Sequence, residues 1–212
     1  MQISLNTHSS IKINDIYIDP YQIPEESHDA KYVFITHSHY DHFSLEDIKK
    51  VINNETKIII PLDCAEKLKG IFVKDNIFLV EPNNSYKIDE LVFSTTYAYN
   101  IDKSFHLKDY NWVGYIFEIE GKKVYVAGDT DYISPLENVT CDIALVPIGG
   151  TFTMDVNEAA TFINKIKPHK VIPIHYGTLV GNKEDAEIFA SKLNNSIECE
   201  IILQKKEKEL FI

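Results

Sequence analysis

Short apolar runs bounded by turn residues recur along the whole chain, and several are separated by stretches of helical periodicity. Residues 11–18 alternate apolar and polar positions over part of their length and predict one strand, stopped by Asp19-Pro20. Residues 24–29 form a polar loop with an exposed His28, and residues 32–35 are a short apolar strand. Ser44 then caps a helix. Glu46 and Asp47 suit its positive end, and Ile48, Val51 and Ile52 give it an apolar face. A buried strand over 57–60 leads to a second helix, opened by Pro61 and closed by Gly70. Strands follow at 77–80 and 91–99, then a polar loop over 100–111. Residues 112–119 and 123–127 pair as a hairpin through a turn at Gly121-Lys122. Beyond it come a strand over 142–147, a helix over 155–167, a strand over 171–174, a helix over 183–193 and a closing strand over 197–203. In the first of these helices Val156, Ala159, Ala160, Ile163 and Ile166 share one face.

With 212 residues, 44% hydrophobic and 25% charged, the chain is expected to form one domain, 1–212, with a sizeable core. No apolar run approaches the roughly 20 residues of a membrane span. Residues 1–6 lack the basic and apolar regions of a signal peptide. Three widely spaced cysteines, Cys64, Cys141 and Cys199, read as reduced thiols of a cytoplasmic protein. The formal charge of −11 disfavours nucleic acid and anionic membranes. The mixed-sign tail Lys205-Lys206-Glu207-Lys208-Glu209 reads as a solvated turn or strand end.

The chemistry concentrates in Thr36-His37-Ser38-His39-Tyr40-Asp41-His42, directly after an apolar strand. Three of the eight histidines and a carboxylate fall within six positions. Alternate residues leaving a strand can face one side, so His37 and His39 can hold one metal and Asp41 and His42 a second. Nitrogen and oxygen ligands of this mix suit Zn²⁺, with Mn or Fe also compatible.

His-x-His-x-Asp-His after a hydrophobic strand resembles the signature of the metallo-β-lactamase superfamily. The resemblance implies an α/β fold, a four-layer αββα sandwich. It continues in Gly128-Asp129-Thr130-Asp131, in Val113-Gly114-Tyr115 and in Pro173-Ile174-His175-Tyr176-Gly177-Thr178. By that resemblance Asp129 bridges two metals, the other reading being a turn residue or helix cap, and His175 completes the second metal. Relatives place a further histidine near Asn100. Here Tyr97-Ala98-Tyr99-Asn100 stands there, and His106 lies six residues into the same loop, so either His106 completes the first metal or Asn100 or water does. Asp41 is the candidate to orient or deprotonate the attacking water. Tyr176 is either a donor to an oxyanion or a packing residue. His8 and His169 match nothing in the pattern.

The resemblance is nearest to small hydrolases similar to ascorbate-6-phosphate lactonase and to lipid phosphodiesterases. It implies a metal-activated hydroxide acting on a small ester, lactone or phosphodiester. Three alternatives stand beside it: a non-catalytic metal-binding or regulatory protein, a di-iron redox protein, and a nuclease. The redox relatives resemble His-x-Glu-x-Asp-His, with a glutamate where this chain has His39.

Overall fold

A computed structural model describes residues 1–68 and 74–203. The chain divides into two compact units, Met1–Glu81 with Ile202–Ile212, and Pro82–Ile201. The expected helix closure at Gly70 and the expected tail at 205–209 lie outside the described residues.

The first unit is built on a six-stranded mixed sheet in sequence order: β1 Ile3–Leu5, β2 Ile11–Ile13, β3 Ile16–Ile18, β4 Tyr32–Phe34, β5 Lys57–Ile60 and β6 Ile77–Leu79. The first three strands are antiparallel, and β3 through β6 are parallel. The expected single strand over 11–18 is a hairpin instead. Ile13 pairs with Ile16, and Asn14 sits at φ +52°, a left-handed position that asparagine tolerates in a two-residue turn. Strand β1 has no counterpart in the sequence expectations.

Helices α1 Leu45–Val51 and α2 Leu62–Leu68 cross over between parallel strands. Ser44 caps α1 by accepting from the Asp47 N–H, and its hydroxyl donates to the Asp47 carboxylate at 2.6 Å. Asp47 in turn accepts from the backbone N–H groups of Gln22 and Ile23, which ties the loop before β4 to the helix start. Ile48 and Val51 are fully buried against Val33, Ile35, Ile58 and Ile60. Burial contributes about 1.5–3 kcal/mol for each such side chain.

The second unit carries a seven-stranded sheet: β7 Ser85–Ile88, β8 Leu91–Tyr97, β9 Val113–Ile119, β10 Lys122–Val126, β11 Ile143–Pro147, β12 Lys170–Ile174 and β13 Glu198–Cys199. Strands β7 to β10 form an antiparallel meander, and β10 to β13 are parallel. The β9–β10 turn is Glu120-Gly121, both at positive φ, one residue earlier than expected. Helix α3 Val156–Ile166 links β11 to β12, capped by the Asp155 carboxylate on the N–H groups of Asn157 and Glu158. Helix α4 Asp185–Ser191 links β12 to β13. Phe162, Ile163, Ala186 and Phe189 from these helices share one core with Tyr125, Ala144, Val146 and Val171.

The closing strand is far shorter than the expected 197–203. The Glu200 N–H donates to the Val171 carbonyl, so residue 171 faces β13. Two residues on, Pro173 turns to that same edge and has no N–H to offer, which ends the ladder.

Candidate metal site

In the first unit the chemistry gathers where β3 and β4 end. These strands are parallel neighbours, with Ile18 opposite Phe34, so Asp19 leaves the sheet beside Thr36. Asp19 adopts φ +47° and is almost fully buried. Its Oδ1 accepts from the Thr36 N–H at 2.8 Å, and its Oδ2 from the Thr36 hydroxyl at 2.6 Å and from His42 Nδ1 at 2.7 Å. Burial pushes the Asp19 carboxyl above its ordinary range, while His42 and Thr36 pull it down.

This network assigns protons. Thr36 Oγ1 spends its hydrogen on Asp19, so at 2.9 Å it accepts from His37 Nδ1. His42 likewise donates from Nδ1 to Asp19. Both rings therefore present a bare Nε2, the form that binds a metal. His37 Nε2 lies 3.1 Å from His39 Nδ1, and His42 Nε2 lies 3.7 Å from Asp41 Oδ2. The turn is closed by the His42 and Phe43 N–H groups donating to the His39 carbonyl. Asp19, His37 and His42 offer ligand atoms all within 4.8 Å of one another.

In the second unit Asp129 follows β10 after Gly128 at φ +67°, and His175 follows β12 at φ +57°. Asp129 Oδ2 stands 2.9 Å from His175 Nε2 and 3.4 Å from His106 Nε2. All three side chains are buried. Gly149 is required beside His175, because a Cβ there would meet the His175 carbonyl oxygen at 2.3 Å.

Asn100 settles the orientation of His106. Its Nδ2 donates to the Phe152 carbonyl and to Asp131 Oδ1, both at 2.9 Å, and a backbone carbonyl can only accept. Its Oδ1 therefore faces His106, accepting from the backbone N–H at 3.1 Å and from ring Nδ1 at 2.9 Å. That leaves His106 Nε2 without its proton and aimed at a carboxylate. Trp112 packs edge-on to the His106 ring, centroids 5.5 Å apart. Asp131 also takes the Ile101 N–H and the Lys103 ammonium, which fixes the start of the loop.

Two ligands of a tetrahedral zinc, each about 2.0–2.1 Å from it, stand roughly 3.3–3.4 Å apart. The pairs His37–His39, His42–Asp41, His106–Asp129 and His175–Asp129, at 3.1, 3.7, 3.4 and 2.9 Å, bracket that spacing. At His42–Asp41 and His106–Asp129, where the ring proton is held at Nδ1, acceptor faces acceptor, which inside a protein is costly unless a cation or proton lies between. The donor sets therefore fit a metal.

The structure thus gives each expected ligand a buried or half-buried place at a strand end or in the loop after β8, and it turns the Asn100 carboxamide to His106, Asp131 and Phe152. Tyr176 lies in the core of the second unit with Ala186 and Phe189. His28 and His169 are exposed. His8, unmatched in the sequence pattern, is fully buried with Nε2 3.2 Å from Asp41 Oδ2. Asp19, read from sequence as a strand stop, is the carboxylate that orients two imidazoles; the parallel pairing of the strand before it with the motif strand is the signal that would have found it. Among the described residues Cys64, Cys141 and Cys199 are free thiols. Cys64 is buried, and burial pushes Cys141 up to about 12 and Cys199 to about 11, which leaves them inert thiols.

A family model described as "Beta-lactamase superfamily domain" matches residues 9–176. A UPF0173 metal-dependent hydrolase of Nanoarchaeum equitans is 37% identical, covering 98% of this chain and 99% of its own. One from Methanosphaera stadtmanae is 30% identical over 93% of each. A solved structure from Parabacteroides distasonis superposes with a TM-score of 0.78 at 24% identity, covering 96% of this chain and 93% of its own. A metallo hydrolase of Ignicoccus hospitalis gives 0.74 at 23%, covering 95% and 94%. A metallo-β-lactamase fold protein of Bacillus subtilis superposes with a TM-score of 0.68 at 12% identity, covering 93% of this chain and 89% of its own. The chain belongs to the β-lactamase superfamily and, within it, to the UPF0173 metal-dependent hydrolases.

Proposed function

We propose that the chain is a dinuclear zinc hydrolase of small esters, lactones or phosphodiesters. His37, His39, Asp41 and His42 in the first unit, and His106, Asp129 and His175 in the second, are the residues that would hold the metals. The observation that carries this reading is the Asp129 carboxylate beside His106, whose proton Asn100 holds at Nδ1. The family match running from residue 9 to 176 supports treating residues 1–212 as one domain.

Zinc, when bound, lowers the pKa of water towards about 7 and stabilises a developing oxyanion. The chain's own groups do the rest. Asp19, through Thr36 and directly, keeps His37 and His42 in their ligand tautomers. Asn100 does the same for His106. Asp41, half-buried with its side chain 14% exposed, is the carboxylate assigned to orient the attacking water and receive its proton. Tyr176, buried beside His175, is assigned either to donate a hydrogen bond to that oxyanion or to packing.

Substrate recognition falls to the loop after β8. Ile101, Phe105, Leu107 and Tyr110 are exposed there, and Phe105 is held edge-on to Phe152 with centroids 4.6 Å apart. Exposed apolar side chains flanking a buried polar cluster suit a substrate with an apolar portion. Among the described residues no helix is long and apolar enough to cross a membrane.

The test is metal analysis of the purified protein together with a panel of lactones, phosphodiesters and thioesters. Two zinc ions per chain with turnover on one of these classes is expected. Tightly bound metal with no turnover on any class favours a binding or regulatory role, and iron with oxygen consumption favours redox chemistry.

A further inference from the structure

We propose that His8 is a positioning residue for Asp41, donating its Nε2–H to Oδ2 and holding the carboxylate ready for a metal. The proposal rests on the reading of Asp41 as a ligand. His8 lies in the loop between β1 and β2, fully buried, with its backbone at φ +56°. The Ser10 N–H donates to the Thr7 carbonyl and the Asn6 N–H to the Ser10 carbonyl, so the loop is tied across His8.

The assignment follows from the protons. Asp41 Oδ2 lies 3.2 Å from His8 Nε2 and 3.7 Å from His42 Nε2. His42 keeps its proton at Nδ1, on Asp19, and presents a lone pair at Nε2. A carboxylate oxygen facing a lone pair on one side is held in place by a donor on the other, and His8 Nε2, 3.2 Å away though not aligned as a hydrogen bond in this structure, is the group that can supply it. The His8 and His42 rings are 5.9 Å apart and tilted by 68°, so they approach Oδ2 from different directions. A carboxylate free to rotate would present either oxygen to a cation; His8 removes that freedom. Outer partners that orient ligating groups typically contribute about ten- to hundredfold in metal affinity.

The test has two readouts. In zinc-loaded wild-type protein with nitrogen-15-labelled histidine, the imidazole spectrum should place a proton on His8 Nε2. An unprotonated Nε2, or direct coupling of that nitrogen to cadmium-113 in the cadmium-loaded protein, overturns the proposal. Second, zinc affinity is measured by chelator competition. His8→Asn tolerates the left-handed backbone but is too short to reach Asp41, and it should weaken affinity about ten- to hundredfold. His8→Gln carries an amide N–H out to the Nε2 position and should restore affinity to within about threefold of wild type. An Asn variant that binds zinc as tightly as wild type overturns the proposal while leaving Asp41 a ligand. Should His8→Asn fail to fold, the wild-type spectrum decides. A wild-type protein that binds no metal fails at the earlier step, the ligand role of Asp41, and the proposal falls with it.

Discussion

The side-chain oxygen of Asn100 accepts from both the backbone N–H and the ring Nδ1 of His106, at 3.1 and 2.9 Å. One carboxamide thus fixes both the position of a loop and the tautomer of the histidine it carries. Asn100→Ala removes both contacts and leaves buried polar groups facing one another. It is expected to cost about 1–3 kcal/mol in denaturant unfolding and to lower zinc content measured by elemental analysis. Unchanged metal content would show that His106 needs no such partner.

Asp19→Asn tests proton placement more severely. With its new amide facing the Thr36 hydroxyl and His42 Nδ1, the substitution asks both His37 and His42 to move their protons to Nε2. Zinc affinity should fall by at least about ten- to hundredfold at neutral pH. Titration with a fluorescent chelator measures this, and a variant that binds as tightly as wild type would contradict the tautomer argument.

Gly149→Ala places a methyl group 2.3 Å from the His175 carbonyl oxygen, a distance no Cβ tolerates. The backbone at His175, already in the left-handed region, has to move. A lower melting temperature and a loss of metal are expected together. A variant that lost stability but kept full metal content would uncouple Gly149 from the placement of His175.

The sheets and crossover helices were largely legible because period-two and helical patterning are strong there: the 57–60 strand stands as expected, and the 155–167 helix appears with its two end residues as caps. The short β1 and β7 strands carry too few alternating residues to be read. The hairpin inside 11–18 is hidden because Asn14-Asp15 breaks an alternation that otherwise looks continuous. At the site, the motif histidines announce themselves by spacing. Asp19, Asn100 and His8 do not, since each acts across 6 to 33 residues of chain through a tertiary hydrogen bond or ion pair.

Acid stability has a specific contributor in the first unit. Partial burial raises the Asp29 carboxyl, but hydrogen bonds from Lys12, Tyr17 and Ser27 outweigh it and bring its pKa to about 2. The folded pKa lies below the ordinary 3.8, so the stabilisation is present above about pH 4 and is lost as pH falls towards 2. Asp29→Asn should therefore flatten the stability curve across that window and lower stability modestly at neutral pH, the group being half-exposed. Urea unfolding at a series of pH values measures it, and a variant curve parallel to wild type would rule the contribution out.

Metal content per chain in wild type and in His106→Ala, measured alongside hydrolysis of a substrate found in the panel, tests the dinuclear assignment most directly. The account predicts two zinc ions in wild type, about one in His106→Ala with much reduced turnover, and no change in His28→Ala or His169→Ala. Two metals and full turnover in His106→Ala would contradict it.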